Sequence, residues 1–372
     1  MMAGRAGVRR SSGAPLASFF AAWLADDDAS HWRAFAQRVP WASYQQDPAW
    51  APIEECGERP GVRKVFHFWS ERAGEICLTA LGVRRRLPLT ARAFWEFNKG
   101  PTFVDVEVLD AWLAWLVGTL RRDAARIRIE PAMPLATGGD DVETLLERHG
   151  FVRRRSDGTW STVMVDLRGD EEQLLASLSA QTRRKVKKSR LLGIAVRAED
   201  SPSGWRVLSG LERELSRRAA VSPVDVVTLS CISRQWLKGG TGGTLLVAYR
   251  GEEPLAAGLV IAYRDTAYLP LIACSPSVRD LPLSHLLVWE ALEWARHHGR
   301  TVFDLEGYSQ MARPGDVLWG VNQFKRGFAQ GRQPTKAVAI HELVFSPALV
   351  TAAGAVRSLQ AKRRVVARGG GE

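Results

Sequence analysis

The chain has 372 residues, 46% of them apolar and 24% charged; this composition excludes wholesale disorder and collagen-like repeats and gives room for two or three cores of about 100–200 residues each. Lys plus Arg exceed Asp plus Glu by 51 to 40, and the net charge of +11 points to a polyanionic partner: nucleic acid, a phosphorylated substrate or an anionic membrane. No run reaches the roughly 18–20 apolar residues a membrane-spanning helix needs. Four scattered cysteines without a C-x-x-C pair read as buried small apolar residues in a reducing compartment, and with dispersed histidines they exclude a metal site.

Residues 1–30 read as a flexible N-terminal arm, although Arg9-Arg10 before the apolar stretch 15–25 also has the outline of a secretion signal. A first domain is expected over 31–168. It opens with a helix over 32–39, followed by paired strands over 62–69 and 75–81, rich in β-branched and aromatic residues. A turn at Asn98-Lys99-Gly100-Pro101 leads to a helix over 106–122 with Leu109, Trp112, Leu113, Leu116 and Leu120 on one face. Residues 126–129 then alternate as a half-buried strand does.

A second domain, 169–334, opens with a helix over 171–192 that stops at Gly193, and a helix over 203–219 comes next. A strand meander over 245–249, 255–263 and 267–273, a helix over 284–298 ending at Gly299, and a strand over 301–305 complete it. Helices, three strands, helix, strand is the order of a GNAT-type N-acyltransferase. Helix-then-strand recurs at 113–129 and 286–305, so the expected fold class is α/β with tandem duplicated GNAT-like domains.

Three stretches resemble the Fem (FemABX) family of aminoacyl-tRNA-dependent transferases. They are Leu174-Leu175-Ala176-Ser177-Leu178 with Thr182-Arg183-Arg184-Lys185-Val186; the helix Leu286-Leu287-Val288-Trp289-Glu290 with Phe303-Asp304-Leu305-Glu306-Gly307; and Phe324-Lys325-Arg326-Gly327-Phe328, which is similar to the family's terminal Phe-Lys-x-x-Phe element. Gln45-Gln46 with Trp50, and Lys99-Gly100-Pro101, extend the likeness into the first half. The resemblance implies two GNAT-like domains without a coiled-coil arm, with residues 335–372 packing back on the first. It also implies transfer of an amino acid from aminoacyl-tRNA to an acceptor amine, with no cofactor beyond that co-substrate.

Such a reaction needs a positioned amine and a positive donor for the oxyanion formed as the ester opens. By resemblance Lys325 is that donor and Phe324 its orienting neighbour; the competing reading is a lysine that merely faces solvent. Arg183, Arg184, Lys185, Lys187, Lys188 and Arg190 place six cations within eight positions of one helix, a pattern that invites tRNA phosphates or is a generic basic face. Asp304 and Glu306, at a strand end, are suited to hold the acceptor ammonium or take its proton, or else pair with Arg279 or Arg313. Tyr268 is counted with them as substrate-binding. Arg217 and Arg218 offer bidentate contacts to an acceptor carboxylate or phosphate, although cations at a helix C-terminus also answer its dipole.

Departures from the family concern the acceptor. Glu54 or Glu55 stands where relatives carry a lysine, and Val226-Val227 where they carry an aromatic residue, so a biosynthetic amine of a peptide-like metabolite competes with a peptidoglycan precursor. The first rival reading is an acyl-CoA-dependent GNAT enzyme. It is disfavoured because Val278-Arg279-Asp280-Leu281-Pro282-Leu283-Ser284 lacks the glycine-rich turn that holds a pyrophosphate. The second is a non-catalytic RNA-binding protein. The expected protein is a cytoplasmic monomer; its basic tail over 357–368 suits either a membrane surface near a lipid-linked acceptor or a frayed end.

Overall fold

The computed structural model describes residues 18–22, 26–56, 62–154, 160–219, 224, 226–238, 242–278 and 280–356. They form two compact units, the first drawn from Met1–Pro48, Gly61–Ser156 and Val338–Glu372, the second from Ala49–Pro60 and Asp157–Ala337. Among the described residues no helix is long and apolar enough to cross a membrane.

Strand β1 (Ser18–Ala22) and helix α1 (Asp26–Arg38) come first; the short helix α2 (Ala51–Glu55) belongs to the second unit. Next come β2 (Arg63–Arg72), β3 (Glu75–Arg86), β4 (Ala93–Lys99), β5 (Thr102–Phe103), α3 (Val106–Leu120), β6 (Ala124–Pro131), α4 (Gly139–Arg148) and β7 (Val152–Arg153). β2, β3 and β4 form an antiparallel meander, and β6 returns parallel to β4 with Phe97 opposite Ile129. That crossover is α3, whose first turn is capped by Asp105 accepting from Val108 N at 2.8 Å and whose stripe Val108, Leu109, Trp112, Leu113, Leu116 and Leu120 is buried. The expected arm over 1–30 is corrected from Ser18 onward: β1 pairs antiparallel with β2 (Phe20 opposite Trp69), and α1 already begins at Asp26.

The Gln45-Gln46 landmark has a structural cause in this unit. The Gln46 side chain accepts from Leu81 N at 2.8 Å and donates to Asn98 O at 2.6 Å, tying β3 to β4. A Cβ on Gly100 would lie 2.4 Å from the Gln46 amide carbon, so glycine is required there.

The second unit begins before residue 169. Strands β8 (Trp160–Thr162) and β9 (Met164–Asp166) belong to it, since Phe303 lies opposite Val165, and the division falls at 156/157 rather than 168/169. The expected single helix over 171–192 is two helices, α5 (Glu171–Ser177) and α6 (Ala180–Arg190). Leu178 and Ser179 are extended between them, because Leu178 is drawn into the core and Ser179 starts α6 as its N-cap, accepting from Thr182 N at 3.2 Å.

Strand β10 (Ala195–Ala198), α7 (Pro202–Ala219) and α8 (Val226–Cys231), which continues as a π-helical turn over Ile232–Leu237, precede β11 (Gly243–Arg250), β12 (Glu253–Tyr263) and β13 (Thr266–Cys274). Helix α9 (Leu283–His297) carries the chain to β14 (Val302–Asp304), parallel to β13. The meander–helix–parallel strand plan of β2–β3–β4–α3–β6 thus recurs as β11–β12–β13–α9–β14. Finally come β15 (Tyr308–Ser309), α10 (Val317–Arg326), β16 (Thr335–Lys336) and β17 (His341–Val344). β17 leaves this unit and pairs with β6 in the first sheet.

The cysteine expectation fails for two residues. Cys56, just past α2, and Cys231, at the end of α8, form a disulfide inside the second unit, with Trp50 edge-on to Trp236 at 5.4 Å beside it. Cys77 is a buried free thiol and Cys274 a half-buried one.

Candidate active site

The parallel pair β13–β14 holds only over Thr266–Val302, Ala267–Phe303 and Tyr268–Asp304, while β13 continues to Cys274. Past Tyr268 the ladder ends and a fork opens at the carboxyl end of β14. Asp304 is buried there and accepts from the Thr162 hydroxyl and from Glu306 N, the latter at 2.6 Å. The chain then turns through left-handed conformations at Glu306 (φ 48°) and Gly307 (φ 34°), of which the first is unusual for a residue with a Cβ.

That turn aims two carbonyls at one amine. Lys325 Nζ donates to Glu306 O at 2.5 Å and to Gly307 O at 2.7 Å. Burial lowers its pKa, and the negative charges of Glu306 and Asp304 oppose that fall. An ammonium has three protons, so two carbonyls leave one donor uncommitted. Tyr268, opposite Asp304, has its phenol pushed well above the ordinary range by burial and by the charges of Asp304 and Glu306.

The remaining residues of the Phe-Lys-x-x-Phe element build a small aromatic cluster. Phe324 meets His285, in the first turn of α9, edge-on at 4.8 Å, and Phe328 at 5.4 Å. Burial, assisted by the charge of Lys185, lowers the His285 pKa to about 4, so the ring is neutral near pH 7. Gly327 is where α6 docks: Ser179 N donates to its carbonyl at 3.0 Å, and Thr182 crowds its Cα.

Lys325, Phe324, Asp304, Glu306 and Tyr268 are therefore brought together at one strand end. The six cations of α6 are not equivalent. Arg183 donates to the carbonyls of Ala176 (2.8 Å) and Leu178, closing the end of α5, and Arg190 pairs with Glu171 at 2.8 Å and lies over Trp289. Arg184, Lys187 and Lys188 stay exposed, and the charge of Lys185 acts on His285. The expected face of six is corrected to a smaller one, because helix packing commits both ends of the run.

Arg217 is exposed near the end of α7, and among the described residues no hydrogen bond or ion pair joins it to the cluster; the Arg218 side chain lies outside the described residues. His285 escaped the sequence reading. Its signal was a histidine in the first turn of the helix after the third meander strand. A pocket of about 410 Å³ walled by Val196, Leu246, Glu290 and Trp294 contains neither Lys325 nor Phe324.

Residues 176–326 match the Acetyltransferase (GNAT) domain family. No curated protein sequence matches the chain. Among solved structures, that of FemX superimposes with a TM-score of 0.72 at 16% identity, covering 89% of this chain and 98% of that one. A tandem GNAT protein from the clavulanic acid biosynthesis pathway gives 0.56 at 12% identity, over 89% and 99%. L-PGS from Bacillus licheniformis gives 0.53 at 11% identity, over 88% and 94%. The chain has the tandem GNAT fold, and at the level of the fold the likeness to FemX bears out the resemblance read from the motifs.

Proposed function

We propose that the protein is an aminoacyltransferase that moves an amino acid from aminoacyl-tRNA to an acceptor amine. The observation that carries this reading is the placement of Lys325, a half-buried ammonium fixed by two carbonyls with its third proton free beside the fork of β13 and β14. The acceptor nitrogen attacks the ester carbonyl, a C–N bond forms, and the oxygen takes the negative charge. The ester C–O bond then breaks, and the ribose hydroxyl leaves with a proton that the amine has lost. Lys325 donates its free hydrogen bond to the oxyanion, an interaction that strengthens as charge develops. Phe324 packs beside it and keeps water from the ester. Arg184, Lys187 and Lys188 meet phosphates of the tRNA, while Asp304 and Glu306 hold the acceptor's ammonium and one of these carboxylates takes the proton it sheds to become the attacking amine. Arg217 and Arg218 are proposed for a more distal part of the acceptor.

Acetyl-CoA is a poorer fit to the start of α9. Pro282 has no N–H, and the amides of Leu283 and His285 are already bonded to Leu281 O at 2.9 Å and Pro282 O at 3.1 Å. Few donors remain there for a pyrophosphate. Incubation with a panel of radiolabelled charged tRNAs and acceptor amines tests the proposal. Transfer should occur from at least one tRNA, and Lys325→Ala should slow single-turnover transfer by about 10²–10³. Transfer from acetyl-CoA instead, or an alanine variant within a few-fold of the parent, overturns it.

A further inference from the structure

The tip of the β3–β4 hairpin in the first unit carries an unusual side chain. Leu89 is fully exposed, at 105% of its reference area, and its backbone is left-handed at φ 61°. A leucine resists that conformation, yet the loop is closed around it: Leu87 N donates to Arg92 O at 3.2 Å, and Arg92 N to the Thr90 hydroxyl at 3.0 Å. The loop therefore holds an apolar side chain out in solvent.

Cations surround this tip. Arg86 on β3, and Arg121 and Arg122 just past α3, are exposed, and none of their side chains makes an ion pair among the described residues. The Arg92 guanidinium donates to the carbonyls of Arg121 (3.4 Å) and Ala124 (2.7 Å), which fixes the end of α3 beside the hairpin. The acid that follows Arg122, Asp123, is taken by Arg84 at 2.6 Å and by Trp95 at 2.7 Å.

A third observation concerns the C-terminal segment. Residues 347–356 are helical, and Leu349, Val350 and Ala353 pack against Leu87, Phe94 and Ala125 at the base of the same hairpin. The sequence that follows contains Arg357, Lys362, Arg363, Arg364 and Arg368 against a single acid, Glu372.

We infer that this edge docks on an anionic lipid bilayer, Leu89 entering the interface and Arg86, Arg121 and Arg122 lying among acidic headgroups. Apolar burial and about 1 kcal/mol per surface cation are each weak alone and add up to reversible attachment. A nucleic acid would use the cations but has no use for an extruded leucine.

Co-sedimentation of the full chain with vesicles tests this, using phosphatidylcholine alone and phosphatidylcholine mixed with phosphatidylglycerol. The expected result is binding to the mixed vesicles only, weakened by salt, reduced about tenfold by Leu89→Asp and more than tenfold by Arg121→Glu with Arg122→Glu. All three positions are exposed, and circular dichroism verifies that the variants fold. Equal partition of the Leu89→Asp variant, equal binding to neutral vesicles, or no binding to either overturns the inference. So does an RNA mobility shift that needs Arg121 and Arg122 but not Leu89, which reassigns the edge to a nucleic acid.

Discussion

Gly327 offers a test whose sign, not only its size, is set by the structure. Its backbone is ordinary right-handed helix, φ −60° and ψ −25°. On backbone grounds alone, Gly327→Ala should stabilise the protein by about 0.4–1 kcal/mol, through the unfolded chain. The surroundings oppose this. An added Cβ would stand 2.1 Å from Thr182 Oγ1, 3.1 Å from Phe324 O and 3.4 Å from Ser179 Oγ. Thr182 cannot swing aside cheaply: it is β-branched and buried in the first turn of α6, with its amide and hydroxyl both bonded to Ser179 Oγ. Overpacking of this kind costs roughly 1–3 kcal/mol, so the net expectation is a loss of about 1–2 kcal/mol. Urea unfolding followed by tryptophan fluorescence measures it. Trimming the obstacle in the double variant Gly327→Ala/Thr182→Ala should show a coupling of at least about 1 kcal/mol relative to the single variants. A Gly327→Ala protein as stable as the parent, or more stable, refutes the account of why this position is glycine. Because α6 bears the exposed cations and α10 bears Lys325, the single variant should also lower transfer by displacing one against the other.

Three further outcomes are expected. The His285 pKa lies near 4 instead of 6.5, so the folded state binds fewer protons than the unfolded chain between those values, and stability should fall by roughly 3 kcal/mol as pH drops from 6.5 to 4; His285→Gln should flatten that part of the pH–stability curve, and an unchanged slope would count against the neutral assignment. If Arg184 and Lys188 meet phosphates, tRNA affinity should fall steeply with salt, and replacing both by Gln should reduce the log–log slope by about two; an unaltered slope would place the tRNA elsewhere. The Cys56–Cys231 disulfide spans a separation of 175 residues, for which the chain-entropy argument allows up to about 5 kcal/mol; dithiothreitol and Cys56→Ser should lower the thermal midpoint of the second unit equally, and a parent midpoint insensitive to reductant would show that the bond does not form.

Much of this architecture is written in period and punctuation. The stripe from Leu109 to Leu120, the meander strands with their Gly and charged turns, and Gly299 after α9 are local signals, each decided by residues within a turn or two. What stayed hidden depends on partners distant in the chain. The break at Leu178–Ser179 falls in a segment whose helical periodicity is unbroken; only the demand of the core for Leu178, and of Gly327 for Ser179, reveals it. Two- and three-residue strands such as β8, β15 and β16 are too short for alternation to register. Cys56 and Cys231 carry no spacing signal at all. In the candidate site, Lys325 and Phe324 were visible through their motif and Asp304 and Glu306 through their place after an apolar strand. The unequal fates of Arg183, Arg184 and Arg190 required knowledge of what packs beside each, which charge counting cannot supply.

The strand that follows the second copy has a consequence for the engineering of this chain. β9 precedes the second copy of the repeated plan in sequence yet borders β14, and β17 follows that copy yet borders β6. A gene severed at 156/157 would leave β9 with its own sheet but would encode a first fragment without β17, so the backbone amides of β6 would be open to a stranger in its place. No single cut releases the first unit whole, and co-expression of the two pieces should restore what the first does not manage by itself.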